Sequence, residues 1–104
     1  MEKTVFEVYE LYVEIRKSAE PEMNAEQAKE ALAGAYMDDE KPVAEFEDAA
    51  AAAGYIRGKG TGSIDDFGTY WRVHGWICWE TDKVIEDGEE TDRQSIGTCA
   101  VSEF

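Results

Sequence analysis

Asp87-Gly88 stands between two runs of alternating polar and apolar residues, and it constrains the fold more than any other feature of the chain. A two-residue type I′ turn needs positive φ at both central positions, which Asp-Gly tolerates, so the pattern predicts a β-hairpin over residues 68–104. With this dipeptide as the loop, Glu86 faces Glu89, and the pairs climb outward as Lys83 with Asp92, Asp82 with Arg93, Trp79 with Ile96 and Arg72 with Glu103. Opposite charges, and an aromatic against a β-branched residue, are pairs that a sheet favours. Moving the loop to Gly88-Glu89 sets Cys78 opposite Cys99 and loses those charge pairs, so the first register is preferred. Either register leaves the same two faces, because a shift of two residues preserves side-chain parity. Trp71, Val73, Ile77, Trp79, Ile96, Ala100 and Phe104 then form a core side, while Arg72, His74, Trp76, Cys78, Glu80, Cys99 and Val101 form a mixed one.

Upstream, residues 4–15 alternate with apolar side chains on both faces: Val5, Tyr9, Leu11, Val13 and Ile15 on one, Phe6, Val8 and Tyr12 on the other. Such a strand belongs in the interior of a sheet with partial cover on each side. Asn24 with Gln27 three residues on is a capping-box pattern, and it opens a helix over residues 25–37 with a thin stripe of Ala25, Ala28, Leu32, Ala35 and Tyr36. Residues 43–46 read as a short extended piece. Glu47-Asp48 then caps a second, alanine-rich helix over residues 49–56. The glycines of residues 57–63 alternate around Lys59 but lack the spacing of a phosphate loop and follow a helix, so they predict a mobile surface loop. These elements make one α+β domain over residues 1–104: an antiparallel sheet of three or four strands, the N-terminal strand plus the C-terminal hairpin, packed on one face by two helices.

Charge decides which partners are open to such a domain. Twenty-four acidic side chains against ten basic ones give a net charge of −14, which repels nucleic acid and anionic membrane and attracts basic surfaces. With 43% hydrophobic residues the chain still folds. The N-terminal segment has no apolar signal-peptide core, and a cytoplasmic protein is expected, with no direct nucleic-acid or membrane partner. In that compartment Cys78 and Cys99 are expected as reduced, small, half-buried residues, with a cross-strand disulfide as the alternative.

No catalytic or cofactor signature emerges, and neither a cofactor nor a metal is expected. His74 is the one histidine, and a Cys-His pair with Cys78 is the minimum for nucleophilic catalysis, so a small enzyme using His74 and Cys78 is the remotest reading. The acids of residues 80–92 lack the Asp-x-Asp-x-Asp-Gly spacing of a calcium loop.

The acids instead fall in two clusters. Asp38, Asp39, Glu40, Glu45, Glu47 and Asp48 crowd the link between the helices, and Glu80, Asp82, Glu86, Asp87, Glu89, Glu90 and Asp92 crowd the hairpin tip. Alternate carboxylates on a strand stand about 6.8 Å apart, a spacing similar in scale to that of backbone phosphates. The expected function is noncatalytic protein binding: an acidic inhibitor that imitates nucleic acid and occludes a basic nucleic-acid-binding partner, for instance a nuclease, with Trp76 as an anchor. In size and charge the chain resembles the small acidic inhibitors that phages and mobile elements direct against restriction or CRISPR nucleases. A structural module that forms a homodimer through the mixed sheet face is the alternative.

Overall fold

The computed structural model describes residues 1–35 and 41–104. The chain runs β1 (Glu2–Arg16), α1 (Ala25–Ala33), β2 (Ala44–Phe46), α2 (Ala49–Gly58), β3 (Ser63–Asp66), β4 (Tyr70–Glu86) and β5 (Glu89–Val101). This is the α+β architecture expected, with five antiparallel strands where three or four were anticipated.

Its spine is the β1–β4 pair, an unbroken ladder from Glu2 opposite Val84 to Arg16 opposite Tyr70. The outer side of β1 takes β2 through Phe6, Glu7 and Val8. The outer side of β4 takes two strands end to end: β3 beside residues 71–74 and β5 beside residues 77–86. The two are joined where the Gly62 amide donates to the Glu103 carbonyl at 2.7 Å. A Cβ on Gly62 would lie 2.6 Å from the His74 carbonyl and 2.5 Å from the Phe104 ring, so the exposed loop that follows α2 ends in a tight seam at this residue.

The helices lie on opposite faces of the sheet, which corrects the expectation that both share one. Ala28 and Leu32 of α1 pack with Tyr9, Leu11, Val73 and Ile77, whereas Ala52 and Ile56 of α2 pack with Val8 and Cys78. Val8 and Tyr9 are consecutive on one strand and so point apart, as do Ile77 and Cys78. The two-sided apolar pattern of β1 therefore has a direct cause: each face has its own helix. The first helix opens with the full capping box, Asn24 and Gln27 each bonding the other's backbone amide at 2.9 Å. The second is capped by Asp48, which accepts from the Ala51 amide at 2.9 Å. Among the described residues no helix is long and apolar enough to cross a membrane.

The hairpin turns where expected, with Asp87 at φ 53° and Gly88 at φ 80°, and Glu86 faces Glu89. The preferred register holds only as far as the next pair, Ile85 opposite Glu90. Thr91, Ile96 and Cys99 each lack a partner on β4, so three bulges put one extra residue apiece into β5. Each bulge reverses the parity of the residues beyond it. Lys83 thus faces Arg93 instead of Asp92, Asp82 faces Gln94, and Trp79 faces Thr98. Arg72 pairs with Glu14 and Glu103 with Lys29, not with each other. Ala100 moves to the α2 face beside Cys78, Val101 moves to the α1 face, and Ile96 is left exposed.

Candidate partner-binding surface

On the hairpin half of the sheet, strand register sorts the charges by face. Glu2, Thr4 and Phe6 of β1 lie beside Val84, Asp82 and Glu80 of β4. Those residues in turn lie beside Asp92, Gln94 and Gly97 of β5. Phe6 packs against the α2 cluster, so every member of these rows points to the α2 side. Glu86 and Glu89 pair at the end of the same face. Glu2, Glu80, Asp82, Glu86, Glu89 and Asp92 therefore form one carboxylate surface over three neighbouring strands. Glu80 and Asp82 are half-buried at its inner edge, and the rest are exposed. The Thr4 hydroxyl donates to Asp82 Oδ1 at 2.7 Å, and among the described residues none of the six acids is in an ion pair.

The basic side chains of these strand segments, Lys3, Lys83 and Arg93, make a single cross-strand row on the other face. Like charges directly opposite repel, and the row is held by carboxylates brought in around it. Lys3 pairs with Glu47 at 3.3 Å and Lys83 with Glu45 at 3.2 Å, while Arg93 Nε donates to Glu90 at 2.9 Å. At its centre lies Glu7, 2% exposed, which accepts from Arg93 Nη2 at 2.6 Å and from the Tyr9 hydroxyl at 3.3 Å, with Lys83 Nζ 3.6 Å away. Burial opposes the Arg93 cation, but the hydrogen bond and charge of Glu7 outweigh it and hold the guanidinium more firmly protonated. Burial together with the Glu7 charge pushes the Tyr9 phenol above its ordinary value.

The acids singled out in the sequence thus separate by role. Glu45, Glu47 and Glu90 neutralise cations on the far face, Asp48 caps α2, and Asp87 forms the turn with its backbone at positive φ. Glu80, Asp82, Glu86, Glu89 and Asp92 build the carboxylate surface. Glu2 joins them, although its place near the N-terminus, far from either acidic cluster in sequence, leaves no signal that would select it. Asp38, Asp39 and Glu40 lie outside the described residues. Of the first cluster, Glu45 reaches the hairpin, at Lys83, and Glu47 reaches Lys3 of β1. Glu7 did leave a trace in the sequence, as a charge set among the apolar residues that open β1.

Trp76 lies farther along the α2 face. It is half-buried, packs against the Val8–Ile56 cluster, and has His74 beside it with ring centres 4.8 Å apart. His74 stacks on exposed Tyr12 at 4.3 Å, and its Nε2 is 2.7 Å from Glu10. His74 and Cys78 share this face but stand four residues apart on β4, a separation of about 13 Å along the strand. They are not brought within hydrogen-bonding reach of one another, and the carboxylate next to the imidazole is Glu10. Among the described residues no three His, Cys, Asp or Glu side chains converge as a metal site. Comparison of the chain with protein-family models, with curated proteins and with solved structures finds no match.

Proposed function

We propose that this domain is a noncatalytic protein-binding module whose carboxylate surface occludes the basic cleft of a nucleic-acid-processing partner. The observation that carries this reading is the segregation of charge at the hairpin end. Glu2, Glu80, Asp82, Glu86, Glu89 and Asp92 share one face, while Lys3, Lys83 and Arg93 are turned to the other and paired there. Carboxylates about 6.8 Å apart along a strand and about 4.8 Å apart between strands offer a fixed negative lattice. A cleft lined by lysine and arginine gains much of its nucleic-acid affinity from neutralising such charges. A rigid sheet presents them without being a substrate. Steering by the field speeds association, and the effect weakens as salt is added.

The test uses the domain as immobilised bait in a cell lysate at low and high salt, with DNA or RNA as competitor. Capture of a nucleic-acid-binding protein that nucleic acid displaces supports occlusion. The triple variant Glu86→Lys, Glu89→Lys, Asp92→Lys should abolish that capture. The variant Glu22→Lys, Glu26→Lys, Glu30→Lys changes net charge equally, at exposed sites before and on α1, and should retain it. Equal loss in both variants would reduce the effect to net charge and defeat the assignment to this surface.

A second reading, self-association through the mixed sheet face, draws on exposed Tyr12 stacked over His74 beside Trp76. It requires a dimer that persists in strong salt, which light scattering would detect.

A further inference from the structure

The third bulge of β5 does more than reverse the strand's parity. Ala100 is the β5 partner of Cys78 and Thr98 that of Trp79, so Cys99 is the extra residue looped between them. Its side chain turns to the α2 face, where Cys99 Sγ lies 2.7 Å from Cys78 Sγ. That is well inside the roughly 3.5 Å at which even the smaller carbon atoms pack when not bonded. The two thiols differ in access: Cys78 is fully buried beneath α2, and Cys99 is exposed on the outer edge of the sheet.

We propose that Cys78 and Cys99 are an oxidisable dithiol that closes to an intramolecular disulfide, with Cys99 the thiol that meets the oxidant and Cys78 the one that resolves it. The oxidant is a small disulfide of the glutathione class. The Cys99 thiolate attacks one sulfur of that disulfide, forming a mixed disulfide and releasing the first glutathione thiolate, which takes up a proton. Cys78 then gives its proton to solvent, and its sulfur displaces the second glutathione from Cys99. Two cysteine thiols are oxidised by two electrons, one glutathione disulfide is reduced to two thiols, and protons balance.

The order of events follows from access and environment. Burial pushes the Cys78 thiol well up, and the Cys99 thiol against it adds to the shift, so Cys78 is a poor first nucleophile. Once Cys99 carries the mixed disulfide, proximity drives closure. The product ties the bulge of an edge strand to the centre of the sheet, two residues from Glu80.

The experiment takes the fully reduced chain, exposes it natively to glutathione disulfide, quenches with acid, and reads intact mass and free thiols. The expected wild-type product is monomeric, has lost both thiols, and is lighter by two hydrogens with no glutathione attached. Cys78→Ser should accumulate a stable glutathione adduct on Cys99, and Cys99→Ser should remain unmodified until unfolded. Two thiols surviving in the wild type, a stable wild-type adduct, or a disulfide-linked dimer would each overturn the proposal. An adduct on native Cys99→Ser with none on Cys78→Ser would overturn the assigned order. Circular dichroism checks that each serine variant folds; for one that does not, the wild-type mass and thiol count decide alone.

Discussion

Replacing Glu7 with Gln keeps the shape of a buried side chain and removes only its charge. In the native protein Glu7 is 2% exposed, with Arg93 Nη2 at 2.6 Å and Lys83 Nζ at 3.6 Å. Breaking a fully buried pair by removing one partner costs about 3–5 kcal/mol, and a hydrogen bond to a charged group contributes about 1.5–3 kcal/mol. Two features lower the figure here. The Arg93 side chain is 44% exposed and can turn to water, and Lys83 retains Glu45 at 3.2 Å. Against this, the Lys3–Lys83–Arg93 row loses the carboxylate at its centre, and opposed cations repel. The expected loss is about 2–3 kcal/mol, which for a domain of this size lowers Tm by roughly 10–20 °C. Urea unfolding measures it as a lower midpoint at unchanged slope. Glu103→Gln, which removes an exposed partner from Lys29, serves as control and should cost less than about 0.5 kcal/mol. If Glu7→Gln were as mild as that control, the row would not depend on Glu7, and the account of why like charges face each other across β4 and β5 would fail.

Two further substitutions probe the same core and its seam. Because the Tyr9 phenol is raised in the folded state, its contribution is fully present below its unfolded value near 10 and is lost as pH rises through the higher folded value. Tyr9→Phe should therefore flatten the alkaline end of the stability profile and remove a late-titrating component from the phenolate absorbance; identical alkaline behaviour in the two proteins would contradict this. Gly62→Ala sets a Cβ 2.6 Å from the His74 backbone carbonyl, which cannot swing aside as the Phe104 ring can, and should destabilise by about 1–3 kcal/mol in thermal melts. Gly58→Ala, where a Cβ meets nothing within 4 Å, should be close to neutral.

Short-range signals made part of this fold legible from sequence. Asp87-Gly88 specifies its turn by φ alone, and Asn24 with Gln27 specifies a helix start by two hydrogen bonds, so neither needs tertiary context. The apolar residues on both sides of β1 implied cover on both sides, and one helix per face fulfils it. Bulges are different, because an inserted residue leaves no mark in an alternating pattern that polar residues already blur. Residues 89–96 contain one apolar side chain, Ile96, and a face with nothing to bury does not pin a register. Charge pairing was a weak guide for the same reason. Exposed cross-strand pairs are worth a few tenths of a kcal/mol, less than a buried Glu7 that draws Lys83 and Arg93 toward itself.

The bulges also resolve a conflict that the composition creates. Beyond its bonds to β4, β5 pairs with no other strand among the described residues, so it is a long edge that invites pairing with another chain. A regular strand with this sequence would alternate evenly, splitting its acids between two faces and presenting a flat row of free amides. Interrupting it at Thr91, Ile96 and Cys99 twists that row and breaks the template, while the exposed acids repel a second copy of the same edge. The first interruption sets Asp92 beside Val84, on the face that already carries Glu2, Asp82 and Glu86, and puts Arg93 beside Lys83 over Glu7. The device that guards the edge is therefore also the one that concentrates negative charge on a single face. Deleting Thr91 removes the extra residue yet keeps Val84 opposite Asp92 and Lys83 opposite Arg93, so it should preserve the segregation while lengthening the regular edge, and light scattering should then report more self-association than in the wild type.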